Sequence, residues 1–142
     1  MPARIVFVHD DPSFRSAVFN AFANADLSFA WYRDPLEASD ALEAARSVEL
    51  IITRLHFPDG RSNGVSLIQL ARQRNRAVRA IFTETPGMES YVHDLGRYIG
   101  MPVALNDLMT AVSEELCEYD RQRRMLAGQS TGRGNGQSRT TS

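Results

Sequence analysis

Five short apolar runs alternate with segments whose apolar residues recur at helical spacing, over roughly residues 4–124. That alternation constrains the fold more than any other feature of the chain. It implies strands joined by crossover helices, and therefore a parallel sheet with helices on both faces. The runs cover residues 4–8, 29–32, 50–53, 78–82 and 98–101. Asp11-Pro12 and Asp34-Pro35 each open a helix, with aspartate as N-cap and proline at the first helical position. The first helix would bury Phe14, Ala17, Val18, Ala21 and Phe22; the second, Leu36, Ala38, Ala41, Leu42 and Ala45. The turn-rich stretch 57–64 precedes a third helix carrying Val65, Leu67, Ile68 and Ala71. Thr85-Pro86 caps a short fourth helix with Met88, Tyr91, Val92 and Leu95. Asn106 caps the fifth, whose apolar face is Leu108, Met109, Val112 and Leu116, with Tyr119 a candidate extension. Arg121, Arg123 and Arg124 suit its electronegative C-terminal end.

The length of 142 residues fits one domain with a real core, expected over residues 1–125. Residues 126–142 are rich in Gly, Ser and Thr and read as a disordered tail, because they bury too little to offset the entropy of ordering. A net charge of −1 argues against nucleic acid as a partner. No apolar run reaches membrane-spanning length, and the N-terminal run is too short for a signal peptide. The lone Cys117 excludes an internal disulfide framework and fits a reducing cytoplasm. It sits among Glu114, Glu115 and Glu118, which oppose thiolate formation. His56 and His93 have no serine or cysteine partner at a strand-end turn.

In such a sheet the loops after the strands gather near the point where strand order reverses. His9, Asp10, Arg54, Thr83 and Met101 all stand at strand ends and should converge there. The loop after the first strand is acidic and lacks a glycine-rich phosphate cradle, which argues against dinucleotide binding.

Four segments carry a family pattern: His9-Asp10-Asp11-Pro12 after the first strand, Arg54 after the third, Thr83-Glu84 after the fourth, and Met101-Pro102 after the fifth. In that order they resemble the receiver domain of bacterial two-component response regulators. The resemblance covers roughly residues 3–124. It implies a flavodoxin-like, doubly wound (βα)5 sheet with strand order 2-1-3-4-5. The family places an acidic pair after strand 1, a phosphoacceptor aspartate after strand 3, a Thr or Ser after strand 4 and Lys-Pro after strand 5. Its carboxylates hold Mg²⁺, and its lysine binds the phosphoryl oxygen.

Here Arg54 stands at the phosphoacceptor position, His9 at the first acidic position, and Met101 at the lysine. Glu84 replaces a small residue that leaves the site open. A guanidinium has no acceptor atom and stays charged, so it can neither ligate Mg²⁺ nor hold a phosphoryl group in stable form. These departures imply a degenerate pseudo-receiver, with no cofactor, no metal and no enzymatic activity of its own. Arg54 is expected among Asp10, Glu84 and Asp11, standing in for the metal in a charge-assisted, bidentate pair.

Each residue has a plainer reading as well. Asp11 is accounted for by N-capping, His9 by a neutral hydrogen-bonded strand-end role, and Thr83 by β-branched strand preference. Met101 is an apolar strand end, and the Met101-Pro102 bond is expected to be cis, as in the family.

Receivers signal through helix 4, strand 5 and helix 5, which here implies an interaction face including Met88, Tyr91 and Tyr98. The implied partner is a protein: a histidine kinase, another regulator, an output protein or a second copy of the chain. Two alternatives remain open. One is a phosphorylatable receiver using Asp59 or Asp10 as acceptor. The other is a small ligand-binding or enzymatic domain on the same sheet.

Overall fold

The computed structural model describes the backbone of residues 3–44, 47–57 and 63–141, and side chains of residues 3–43, 47–57 and 63–128. Its elements run β1 (Ile5–Val8), α1 (Pro12–Asn24), β2 (Phe29–Tyr32), α2 (Pro35–Ala44), β3 (Leu50–Arg54), α3 (Gly64–Arg74), β4 (Arg79–Glu84), β5 (Arg97–Gly100) and α4 (Leu105–Thr141). The five strands are parallel, in the order β2-β1-β3-β4-β5. Fold class and strand order agree with the sequence reading.

Strand side chains alternate between two cores, as their period of two requires. Val6, Val8, Ile51, Ala80 and Phe82 pack with Ala38 and Leu42 of α2 and Leu67, Ile68 and Ala71 of α3. Ile5, Phe7, Leu50, Ile52 and Ile81 pack with Phe14, Val18 and Phe22 of α1 and Leu108, Ala111, Val112 and Leu116 of α4. A parallel sheet covered on both faces needs such continuous apolar runs. In the second core the Phe7 ring meets Phe14, Phe22 and Phe29 edge to face and stacks on Trp31.

Both expected Asp-Pro caps form. Asp11 Oδ1 accepts from the amides of Ser13 and Phe14, and Asp34 Oδ1 from the amide of Glu37. These bonds satisfy amides that the first helical turn leaves without partners. Asn63 Oδ1 does the same for α3 through the amide of Ser66.

The expected fourth helix does not form. Its place holds a single 3-10 turn, Glu89–Tyr91. Pro86-Gly87 makes a turn instead, with Gly87 at φ +106°, a conformation that interrupts an α-helix. The amides of Leu95 and Gly96 both bond to the Val92 carbonyl, closing the segment before β5. Gly96 is required there, because a Cβ would lie 2.6 Å from the Ala80 carbonyl oxygen.

The last helix starts before Asn106, with the Leu108 amide on the Ala104 carbonyl, so Asn106 lies inside the first turn rather than capping it. Its span to Thr141 shows no break near residue 125. Residues 123–128 are exposed or half-buried and add nothing to the core. The tail reading for 126–142 falls mostly on residues whose side chains lie outside the described set, and it stands as an expectation from composition.

Candidate functional site

The switch in strand order brings the ends of β1, β3 and β4 together. Val8 pairs with Thr53, and Arg54 with Thr83, so the residues just after or within these ends lie close together. α3 starts close against them. A Cβ on Gly64 would lie 2.3 Å from the Arg54 carbonyl oxygen, so only glycine lets the helix begin here. The Gly64 amide bonds to the Leu55 carbonyl, and His56 bridges Asn63, tying the β3–α3 connection at its base.

Arg54 spans two carboxylates. Its Nη1 donates to Asp10 Oδ1 at 2.8 Å, and its Nη2 lies 3.6 Å from Glu84 Oε1. The guanidinium therefore reaches each acid with one nitrogen, rather than forking onto a single carboxylate. Asp11 is not part of this arrangement; its carboxylate is used on α1.

Of Asp10, Arg54 and Glu84, Glu84 is the most enclosed, at 5% exposure. Its Oε2 accepts from the His56 amide at 3.0 Å and its Oε1 from the Thr85 amide at 3.2 Å. Burial alone would raise its pKa. The two amides and the Arg54 charge outweigh burial and hold the carboxyl below its ordinary value. Asp10 behaves alike: partial burial opposes ionisation, and the Arg54 hydrogen bond and charge more than compensate. Burial alone would lower the Arg54 pKa, but the hydrogen bonds and charges of Asp10 and Glu84 together outweigh it and hold the guanidinium above its ordinary value.

His9 points inward at 2% exposure, against Phe14 and Trp31. Its Nδ1 accepts from the Asp11 amide at 3.1 Å, which fixes the proton on Nε2. That Nε2 is buried without a hydrogen-bond partner among the described residues. Burial first, and then the Arg54 charge, push the His9 pKa down to about 4. The ring is neutral near pH 7.

Thr83 is fully buried, and its hydroxyl donates to the Thr53 carbonyl at 3.5 Å. Met101 follows β5; its amide donates to the Glu84 carbonyl, and the Met101-Pro102 bond is cis. Tyr98 packs on the core, with its hydroxyl donating to the Thr85 carbonyl. Met88 packs beside it, and Tyr91 stands out at 68% exposure. Asp59 lies outside the described residues.

The sequence pattern did not reveal the two backbone amides on Glu84, because His56 reaches it by a loop and not through any periodic spacing. Another feature was legible and decisive for the lysine position. All sixteen basic residues are arginines, so no lysine exists to take a phosphoryl oxygen.

A divalent cation does not fit this set. Arg54 occupies the space between the two carboxylates, and a cation there would face a fixed positive charge. Among the described residues no cluster of His, Cys, Asp and Glu has metal-binding geometry. Of the described side chains at this site, Asp10 is ion-paired, Glu84 is held by two amides and the Thr83 hydroxyl is buried.

No family model and no curated protein matches this sequence. Solved structures do. A response regulator receiver protein from Sinorhizobium medicae superposes with a TM-score of 0.73 at 16% identity, covering 83% of this chain and 97% of its own. A signal receiver domain of an HD domain-containing protein from Pseudomonas fluorescens gives 0.74 at 18%, covering 87% and 93%. The chain has the receiver-domain fold. An adenylate cyclase from Rhodopirellula baltica also superposes, at 0.74 and 18% identity, covering 89% of this chain and 98% of its own. Identities this low carry the receiver fold to this chain and nothing about its activity.

Proposed function

We propose that this chain is a receiver-like signalling module that works by protein–protein contact, without phosphoryl transfer. One observation carries the reading: Arg54 holds Asp10 at 2.8 Å and faces Glu84 at 3.6 Å, on the strand end where a receiver carries its acceptor aspartate. A fixed guanidinium takes over the charge-balancing role of a metal and removes the nucleophile at once. The result is a pocket set in one state, neither awaiting phosphate nor able to accept it. Titration calorimetry with millimolar MgCl2 tests this directly. The expected outcome is no saturable heat, and a stoichiometric binding isotherm would contradict the exchange of metal for arginine.

The partner surface follows from what the short segment before β5 exposes. Tyr98 is anchored by its bond to the Thr85 carbonyl, Met88 packs against the same core, and Tyr91 is exposed. A histidine kinase, another regulator, an output protein or a second copy of the chain would dock on this face, in the cytoplasm of a bacterium. No helix among the described residues is long and apolar enough to cross a membrane. Tyr98→Ala is expected to abolish binding of the physiological partner while the protein stays folded by circular dichroism. Full retention of binding would move the contact to another face.

The second reading, a receiver with Asp10 as acceptor, is disfavoured by the ion pair that already occupies that carboxylate. Asp59 as acceptor is addressed by the mass measurement described at the end of the Discussion. An enzymatic or ligand-binding role at the Arg54 site has no free nucleophile among the described residues to support it.

A further inference from the structure

The opposite end of the sheet gathers positive charge. Between α3 and β4 the chain reads Arg72-Gln73-Arg74-Asn75-Arg76-Ala77-Val78-Arg79. Arg72, Arg76 and Arg79 from this run, together with Arg97 of β5, wall a cleft of about 600 Å³ whose apolar surface includes Val78 and Leu95. The acids lining it are Glu115 and Asp94, and Asp94 is paired with the exposed His93.

Glu115 organises two of these arginines. It is 5% exposed, and its Oε1 accepts from Arg79 Nε at 2.8 Å while its Oε2 lies 3.3 Å from Arg97 Nε. Arg97 also reaches Glu114 with Nη1 at 2.7 Å. Both guanidiniums are thus fixed within the span of one carboxylate, with donors to spare, since each carries five N–H groups.

The other two arginines are not neutralised. Arg72 is half-buried; its Nε donates to the Val78 carbonyl at 2.9 Å, and no carboxylate pairs with it among the described residues. Burial and then the like charge of Arg79 depress its pKa, and the nearby Glu115 offsets them only in part. Arg76 is exposed and makes no hydrogen bond or ion pair among the described residues.

Guanidiniums converging on a concave surface and only partly balanced by their own acids create a positive potential that a bound anion relieves. Their planar forks match phosphate oxygens. One pair is anchored on the strands and the other comes from the end of α3, which suits phosphate groups in more than one place. The chain's net charge of −1 offers no long-range attraction to nucleic acid, which favours a small ligand over an extended strand. We infer that this cleft binds a small anion carrying two or more phosphate groups, through Arg72, Arg76, Arg79 and Arg97. The inference does not depend on the reading of the Arg54 site.

Calorimetric titration of the full chain with inorganic pyrophosphate and with ATP, at fixed ionic strength, tests it. The expected result is saturable one-to-one binding of at least one probe. Arg76→Ala should weaken it about tenfold, the loss of one charge-assisted contact. Arg76 bonds to nothing else, so this variant keeps the fold. Arg33→Ala, which removes the same charge from an exposed position outside the cleft, should leave the affinity unchanged. Three outcomes would overturn the inference. They are no saturable binding of either probe, equal losses in the Arg76 and Arg33 variants, and tighter, steeply salt-dependent binding of a single-stranded oligonucleotide.

Discussion

Glu84→Ala is expected to lower the free energy of unfolding by about 3 kcal/mol. Three groups lose their partner in that variant: the His56 amide, the Thr85 amide and one side of Arg54. Glu84 is 5% exposed, so water does not readily replace the missing acceptor. The β3–α3 connection would loosen with it, because the His56 amide is one of its anchors. Glu84→Gln separates the charge from the hydrogen bonds. It retains one carbonyl acceptor and the side-chain shape, and should cost about half as much. Urea denaturation of the three proteins measures this. Equal, small losses in both variants would mean that Glu84 is an incidental surface acid and that Arg54 is balanced by Asp10 alone.

Acid should destabilise this protein through His9 well before its carboxylates protonate. The His9 pKa falls from 6.5 to about 4 on folding, so the unfolded chain binds the proton first. For a histidine buried neutral, the stabilisation is complete above the unfolded pKa and is lost as pH falls toward the folded one. The shift corresponds to roughly 3 kcal/mol in total, of which about 2 kcal/mol is lost by about pH 5. Asp10, Asp11 and Glu84 favour the protonated ring, but burial and the Arg54 charge outweigh them. Phe14 and Trp31 enclose the ring, Nε2 is without an acceptor among the described residues, Arg54 repels the new charge, and Asp10 Oδ1 is 3.9 Å from Nδ1. Asp10 and Glu84, both held low, act further down, where their ion-pair stabilisation disappears as each is protonated. His9→Asn tests the assignment, since an asparagine oxygen can accept the amide two residues on without titrating. The variant should lose the pH dependence between about pH 7 and about pH 5 while keeping any constant packing penalty. An unchanged slope would place the titrating group elsewhere.

Strand order, the two Asp-Pro caps and the convergence of strand ends were legible because they rest on local periodicity and capping chemistry. Arg54 and Asp10 could be placed together once the sheet was fixed, since both stand at the ends of neighbouring strands. The missing fourth helix was a misreading of a signal that was present. Pro86-Gly87 is a turn dipeptide, and Gly87 does adopt positive φ. The expected bidentate pair failed for a different reason: two acids flank Arg54 at unequal distance, and one guanidinium satisfies both by dividing its nitrogens. The depth of His9 could not be read either, because Trp31 and Phe14 come to it from β2 and α1, which no single window of sequence shows. The arginine-rich α3–β4 connection was visible throughout, but its alignment with Arg97 and Glu115 exists only in the folded sheet.

No side chain of this receiver fold is expected to become phosphorylated. Intact mass spectrometry after incubation with acetyl phosphate and Mg²⁺, beside a phosphorylatable receiver as control for the reagent, tests it most directly. An unchanged mass is expected for this protein while the control gains one phosphoryl group. A Mg²⁺-dependent, base-labile adduct of one phosphoryl group, mapped to Asp10 or Asp59, would contradict it.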